Sequence, residues 1–392
     1  MIYLDSAATT AVRRQVLEAM WPYFTGEFGN PSSHHPLGES AATALGQARK
    51  VVADWLGCRS SEVVFTSGGT EADNLGIKGI ALATPRGRHI VTSAIEHEAV
   101  LESCDYLVRQ HSFEKTILGV DSDGLVDPAE LASVVRPDTT LVSVMYANNE
   151  VGTIQPIKRI AEIVHASGAR LHCDAVQAAG VLPIDVTGLG VDALSISGHK
   201  LGAPKGIGAL YLRGGVAAEP VQHGGGQERG RRSGTENVAG AVGLATAIRL
   251  SEESREANAA STSVIRDSFI EQVLATVPDA MLTGHRRLRL PANASFCFPG
   301  TSGESILLQL EQHDIVCSSG SACAAGSDEP SHVLVAMGLE PEVAQTAVRF
   351  SFDRETTAEE LHEVAVRLRE AVSAVRGIGA PPVGNPAPAA LK

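Results

Sequence analysis

Short apolar runs and helical stretches alternate along the first half of the chain. Glu62-Val63-Val64-Phe65, His89 to Thr92, Leu141 to Met145 and Arg170 to Cys173 are brief runs bounded by turn residues, and each reads as a buried strand. Ser195-Ile196-Ser197 and Gly208 to Leu212 read the same way. Helices are predicted between them: Val12 to Phe24, closed by Gly26 and Gly29, and the run from Asn30-Pro31-Ser32-Ser33 through Trp55 and Leu56. Others follow from Ser67-Gly68-Gly69-Thr70-Glu71 through Leu75 and Ile80, over His97 to Arg109, and over Ile157 to Ala166, where Gly168 ends the helix. Asp127-Pro128 with Glu130 has the form of an N-cap, a first-turn proline and a third-position acid. This βαβα order predicts a mostly parallel sheet covered by helices on both faces.

After Gly234 the pattern changes. Glu236 to about Val277 is helical without a strand, and from Met281 to Arg376 short strands (Ala294 to Phe298, Ala347 to Phe352) mix with helices at Glu304, Ser331 and Thr357. The expected division is an N-terminal segment, 1–14, packing with the small domain, a large domain over 15–260 and a smaller α+β domain over 261–376. The Pro-, Ala- and Gly-rich tail, 377–392, is expected to be disordered.

Composition narrows the function. A net charge of −13 argues against a nucleic-acid partner. No apolar run has the length of a membrane span and the start has no basic signal region, so a cytoplasmic protein without a membrane partner is expected. Two basic clusters, Arg229-Gly230-Arg231-Arg232 and His285 to Arg289, read as solvated or acid-paired surface, although the glycines around the first would suit a small anion. The six cysteines are too scattered for a disulfide framework, and only Cys323 sits in unusual surroundings.

Three features at predicted strand ends carry chemistry. Lys200 closes the run that begins at Ser195, where desolvation favours a neutral, nucleophilic amine. Asp174 ends the strand before it, and a buried carboxylate there calls for a cation. Ser67-Gly68-Gly69-Thr70 offers backbone N–H groups at a helix N-terminus, a cradle for phosphate. A phosphate cradle, a strand-end Asp and, 26 residues on, a strand-end Lys are together what pyridoxal 5′-phosphate requires.

With these features the chain resembles the class I cysteine desulfurases (NifS/IscS-like, class V aminotransferase family). The resemblance rests on Gly29-Asn30-Pro31-Ser32-Ser33, Phe65 to Glu71, Glu96-His97, Asn148-Asn149-Glu150, Asp174-Ala175-Val176-Gln177, Ser197-Gly198-His199-Lys200, His223 to Thr235 and Ser318 to Cys323. It implies an α/β fold of the aspartate aminotransferase-like type I, with a mostly parallel central sheet and a smaller α+β C-terminal domain. Lys200 would be the Schiff-base lysine, Asp174 the partner of the pyridine nitrogen, and His97 the residue stacked on the ring and active in proton transfer. Gly69, Thr70, Ser197 and His199 would hold the phosphate, joined by Thr235 from a second subunit, while Asn149 and Gln177 would bond the ring oxygen. Arg349 would pair with the substrate carboxylate, with Asn30 nearby. On its residues alone, His97 also fits a helix cap and Arg349 a structural strand arginine.

Cys323 decides the chemistry. It lies in a run of small residues, Ser318 to Gly326, where a packed structural thiol is not expected. The resemblance implies attack of its thiolate on the sulfur of L-cysteine, leaving a persulfide and releasing alanine. Implied partners are a second copy of the chain and sulfur acceptors, either iron–sulfur scaffolds and apoproteins or thiolation enzymes, with no resident metal and at most a transient cluster ligand at Cys323. An aminotransferase or selenocysteine lyase would keep Lys200 and make Cys323 incidental. A metal site from Cys317, Cys323 and His332 matches no standard ligand spacing. Two departures stand out: Asp353, where the family commonly has glycine, and a tail unlike the scaffold-gripping extension of the housekeeping members.

Overall fold

The computed structural model describes residues 1–83, 85–320 and 329–379; Cys323 and the tail beyond residue 379 lie outside them. Strand β1 is Ile2–Tyr3. Seven strands then build one sheet: β2 (Val63–Thr66), β3 (His89–Ser93), β4 (Glu114–Leu118), β5 (Thr139–Ser143), β6 (Arg170–Asp174), β7 (Ala193–Ser197) and β8 (Gly208–Leu212). Their order is β2-β8-β7-β6-β5-β3-β4. Only β8 runs against its neighbours, so β2, β3, β5, β6 and β7 end along one edge, where an open parallel sheet binds its ligands.

The runs are continuously apolar because both faces are covered. Alternate residues of each strand enter opposite cores. Phe65, Val91, Val142, Leu171, Cys173, Leu194 and Ile196 pack beneath the helices Pro36–Leu56, Ile157–Ser167 and Val238–Glu252. Val64, Ile90, Leu141, Ala193 and Leu210 pack beneath the helical stretch 69–83 and the helix Glu98–His111.

A second sheet, order β12-β10-β9, is antiparallel: β9 (Met281–Thr283), β10 (Asn293–Cys297) and β12 (Ala347–Ser351). Its core centres on Phe269, Phe296 and Phe350, which meet edge to face, closed by the helices Arg255–Thr276 and Ala358–Gly379. The N-terminus joins this half: β1 pairs in parallel with β11 (Ile315–Val316), and Leu4 is fully buried in the same core. A smaller cluster, with Ile95, Met145 and Val151 against Val333, Leu334 and Met337, joins the loops after β3 and β5 to the C-terminal part.

Several sequence expectations shift. The second helix starts at Pro36, because His35 caps it by accepting from the Gly38 amide and Pro36 occupies its first position, so residues 30–35 form a loop. The long helical run divides at Glu253-Ser254. Strand β4 was not predicted, because Glu114, Lys115 and Thr116 give this edge strand no apolar pattern. Asp353 fits its turn: Oδ1 accepts from the amides of Glu355 at 2.7 Å and Thr356 at 3.0 Å, the loop bond an Asx side chain is suited to make.

Candidate active site

The sheet edge gathers the predicted residues. Thr66 ends β2 and the chain turns through Ser67 and Gly68 into the helix Gly69–Asn74. Close approach here depends on glycine. A Cβ on Gly69 would lie 2.8 Å from Val176 Cγ2, and one on Gly208 would lie 2.6 Å from the Ile196 carbonyl and 2.8 Å from Gly68 Cα. The cradle is thereby pressed between the end of β7, where Ser197 is buried, and the turn that follows Asp174.

The cradle is also braced from behind. Glu71 accepts from the Ser67 amide at 2.8 Å and from Arg232 Nε at 2.8 Å. Arg229 and Arg231 donate to the carbonyls of Val63 and Ser61, and Arg49 grips buried Glu228 with two bonds of 2.6 and 2.7 Å. The first basic cluster therefore clamps the glycine-rich run 223–235 onto the start of β2. Its arginines are committed to carbonyls and to Glu71, which corrects the small-anion reading in favour of the acid-paired one.

Asp174 is 6% exposed at the end of β6. Burial raises its pKa, while the Val176 N–H at 2.9 Å and the charges of His97 and Lys200 pull it down. His97 is the N-cap of its helix, its Nδ1 accepting from the Ala99 amide at 3.0 Å, so the capping role holds while the ring also sits within electrostatic reach of Asp174. Lys200 is half-buried, in a short helical turn after β7, and its Nζ donates to the carbonyls of Ala7 and Ala8. The same N-terminal segment accepts from Gln177 Nε2, at the Ala7 carbonyl, and places Thr9 Oγ1 3.2 Å from His199 Nδ1. Burial, with Lys200 and Lys205 nearby, pushes His199 down to about 4, so this imidazole is neutral.

Other predicted residues sit further out. Arg349 is 1% exposed, and its guanidinium bonds Asp5 Oδ1 at 2.7 Å and the carbonyls of Asn149 and Gly320 at 3.0 and 2.9 Å; its Nε has no hydrogen-bond partner. Asn149 is half-buried in the turn after β5. Asn30 is exposed and accepts from the Ser32 amide in its own turn, while Thr70 and Thr235 are exposed. Asp5 was missed by the sequence reading. The signal was an acid beside apolar Tyr3-Leu4, whose meaning depended on a contact 344 positions away.

These features fit the cofactor. The glycine cradle brings a helix N-terminus close against Ser197 and Val176, the buried Asp174 supplies a carboxyl group for a ring nitrogen, and the half-buried Lys200 supplies the amine. Such a fold and site define a fold type I pyridoxal-phosphate enzyme. The chain belongs to the aminotransferase class-V family, whose model matches residues 2–364. It is 48% identical to the cysteine desulfurase IscS of Methanosarcina thermophila over 378 residues, covering 96% of this chain and 93% of the relative. Among solved structures it resembles a NifS-like protein (TM-score 0.89, 38% identity, 95% of this chain and 99% of that one). It also resembles SspA in complex with cysteine (TM-score 0.79, 36% identity, 91% and 100%).

Proposed function

We propose that the protein is a cysteine desulfurase that converts L-cysteine to L-alanine and passes the sulfur through Cys323. The observation that carries this is likeness to desulfurases over nearly the whole chain, joined to a sheet edge that holds Lys200, Asp174 and the glycine cradle together.

When bound, pyridoxal phosphate supplies an electron sink that weakens the Cα–H and Cβ–S bonds of an attached amino acid. The protein's own groups do the rest. The N–H groups of Gly69 and Thr70, with Ser197 and His199, anchor the phosphate. Asp174 holds the proton on the ring nitrogen. Lys200 would hold the cofactor through its amine and would move the α-proton of the substrate. His97 would stack on the ring and serve in proton transfer. Asn149 and Gln177 bond the ring oxygen, and Thr235 reaches the phosphate of a neighbouring subunit. Arg349 would take the substrate carboxylate, with Asn30 nearby. The Cys323 thiolate forms an S–S bond to the substrate sulfur as the Cβ–S bond breaks; the electron pair left on carbon takes up a proton, and alanine leaves.

We also infer a homodimer, a cytoplasmic location and delivery to iron–sulfur or thiolation proteins. Trp21, Phe24 and Phe28 are each more than half exposed within eight residues of one another, an apolar patch that suits a second copy of the chain. The test is product analysis. L-cysteine should yield alanine and sulfide in equal amounts with a reductant present, and Cys323→Ala should abolish both. Undiminished alanine from Cys323→Ala would defeat the sulfur route.

A further inference from the structure

On the sheet face beneath the helical stretch 69–83, a set of buried polar side chains lies beside Asp174. There Ser143 on β5, His172 and Asp174 on β6 and Ser195 on β7 are register partners across three adjacent strands, and each is buried. His172 Nδ1 lies 2.9 Å from Ser143 Oγ, and its Nε2 lies 3.0 Å from Ser195 Oγ. Asp73, 2% exposed, covers this patch from the helix, with Oδ1 3.6 Å from His172 Nε2 and without a hydrogen-bond partner. The helix opens into a wider π turn at Leu75–Gly79, and its Gly76 admits the imidazole: a Cβ there would lie 2.6 Å from His172 Cδ2. Such turns gather at functional sites.

Packing alone gives no reason for this patch. Buried polar groups are costly unless paired, and Val or Leu would fill the same space without that cost. The polar set lies beside Asp174 on the same face, and Asp73 belongs to the helix that begins at the glycine cradle. We propose that Asp73 is a positioning residue that keeps its proton within the His172–Ser195 patch, leaving Asp174 as the one anion there, aimed at a cationic ring nitrogen. This rests on the cofactor site proposed above.

The surrounding groups support that assignment. Burial pushes His172 down to about 3, and burial together with Asp174 raises Asp73 well above its ordinary value, against a smaller pull down from the Ser195 hydroxyl. Both shifts disfavour charge on the two partners of the 3.6 Å contact. Burial raises Asp174 too, but here the Val176 N–H and the charges of His97 and Lys200 pull it back down. Glu96, also buried and itself pushed up to about 8 by burial, stands nearby, and β2, β7 and β8 face the helix with Val64, Ala193, Leu210 and Leu212.

Isotope-edited infrared spectroscopy tests this with and without pyridoxal phosphate. In protein labelled with ¹³C-aspartate, a protonated-carboxyl carbonyl band should stand at neutral pH, vanish in Asp73→Asn and survive in Asp174→Asn. Aspartate labelling separates it from Glu96. Cofactor affinity, read from absorbance, should fall about tenfold in Asp73→Ala, where the donor is lost, and be rescued in Asp73→Asn, which keeps a neutral donor. Absence of the band, its persistence in Asp73→Asn, or equal loss in the Asn and Ala variants would overturn the proposal. If Asp73→Asn does not fold, the band in wild-type protein and in Asp174→Asn still decides. A protein that shows the band yet binds no pyridoxal phosphate would contradict the function and not the protonation of Asp73.

Discussion

Asp5 Oδ1 and Arg349 Nη2 lie 2.7 Å apart, joining the first residues of the chain to the strand that carries the arginine expected to bind substrate. The guanidinium is almost fully buried while Asp5 is one-fifth exposed, so the pair is open to competition from a carboxylate arriving from solvent. Asp5→Asn should destabilise the substrate-free protein by about 1–3 kcal/mol, because a buried cation loses its anion. Added L-cysteine should then restore more thermal stability to this variant than it adds to wild type. Equal gains in the two proteins would show that the substrate carboxylate does not use Arg349.

The arginine itself should not tolerate lysine. Its three mapped acceptors need the fixed geometry of a planar guanidinium. Arg349→Lys should raise KM for cysteine about tenfold or more, and the ratio of KM to kcat changes measures whether binding is what was lost.

Glu96 gives stability a pH dependence. It is fully buried, bonded to Ser93 and the Met145 amide, and burial pushes its carboxyl up from 4.5 to about 8. Between those two values the folded protein holds a proton that the unfolded chain has released, so Glu96 makes stability fall as pH rises, by at most about 1.4 kcal/mol per unit. His172, pushed down from 6.5 to about 3, acts oppositely, and its contribution grows as pH rises across that window. Glu96→Gln should flatten the decline in Tm between pH 6 and pH 8 while keeping the acid-side rise. An unchanged slope there would contradict a protonated Glu96.

The cradle predicts a graded response. Gly69→Ala puts a Cβ against the Val176 side chain, which can shift, whereas Gly208→Ala meets backbone atoms that cannot. Gly69→Ala should stay folded and lose about tenfold in cofactor affinity, while Gly208→Ala should lose about 1–3 kcal/mol of stability. Thermal melts and absorbance titrations of the two variants separate these effects.

Much of this architecture was legible because the central strands are buried on both faces, so their runs were apolar without interruption and their ends marked the site. Edge strand β4 was not, since solvent on one side admits charged residues, and neither was the reversed direction of β8, which periodicity does not encode. Lys200, Asp174 and the cradle could be read locally because each follows its strand. The Asp5–Arg349 pair and the Asp73–His172 patch required tertiary contacts that no local pattern carries.

The account depends on Lys200 being the amine that takes up pyridoxal phosphate. Borohydride reduction of the cofactor-loaded protein, followed by peptide mass mapping, reads that bond directly. A single pyridoxyl group on Lys200, absent from Lys200→Ala, is the predicted result; no adduct, or an adduct on another lysine, would contradict it.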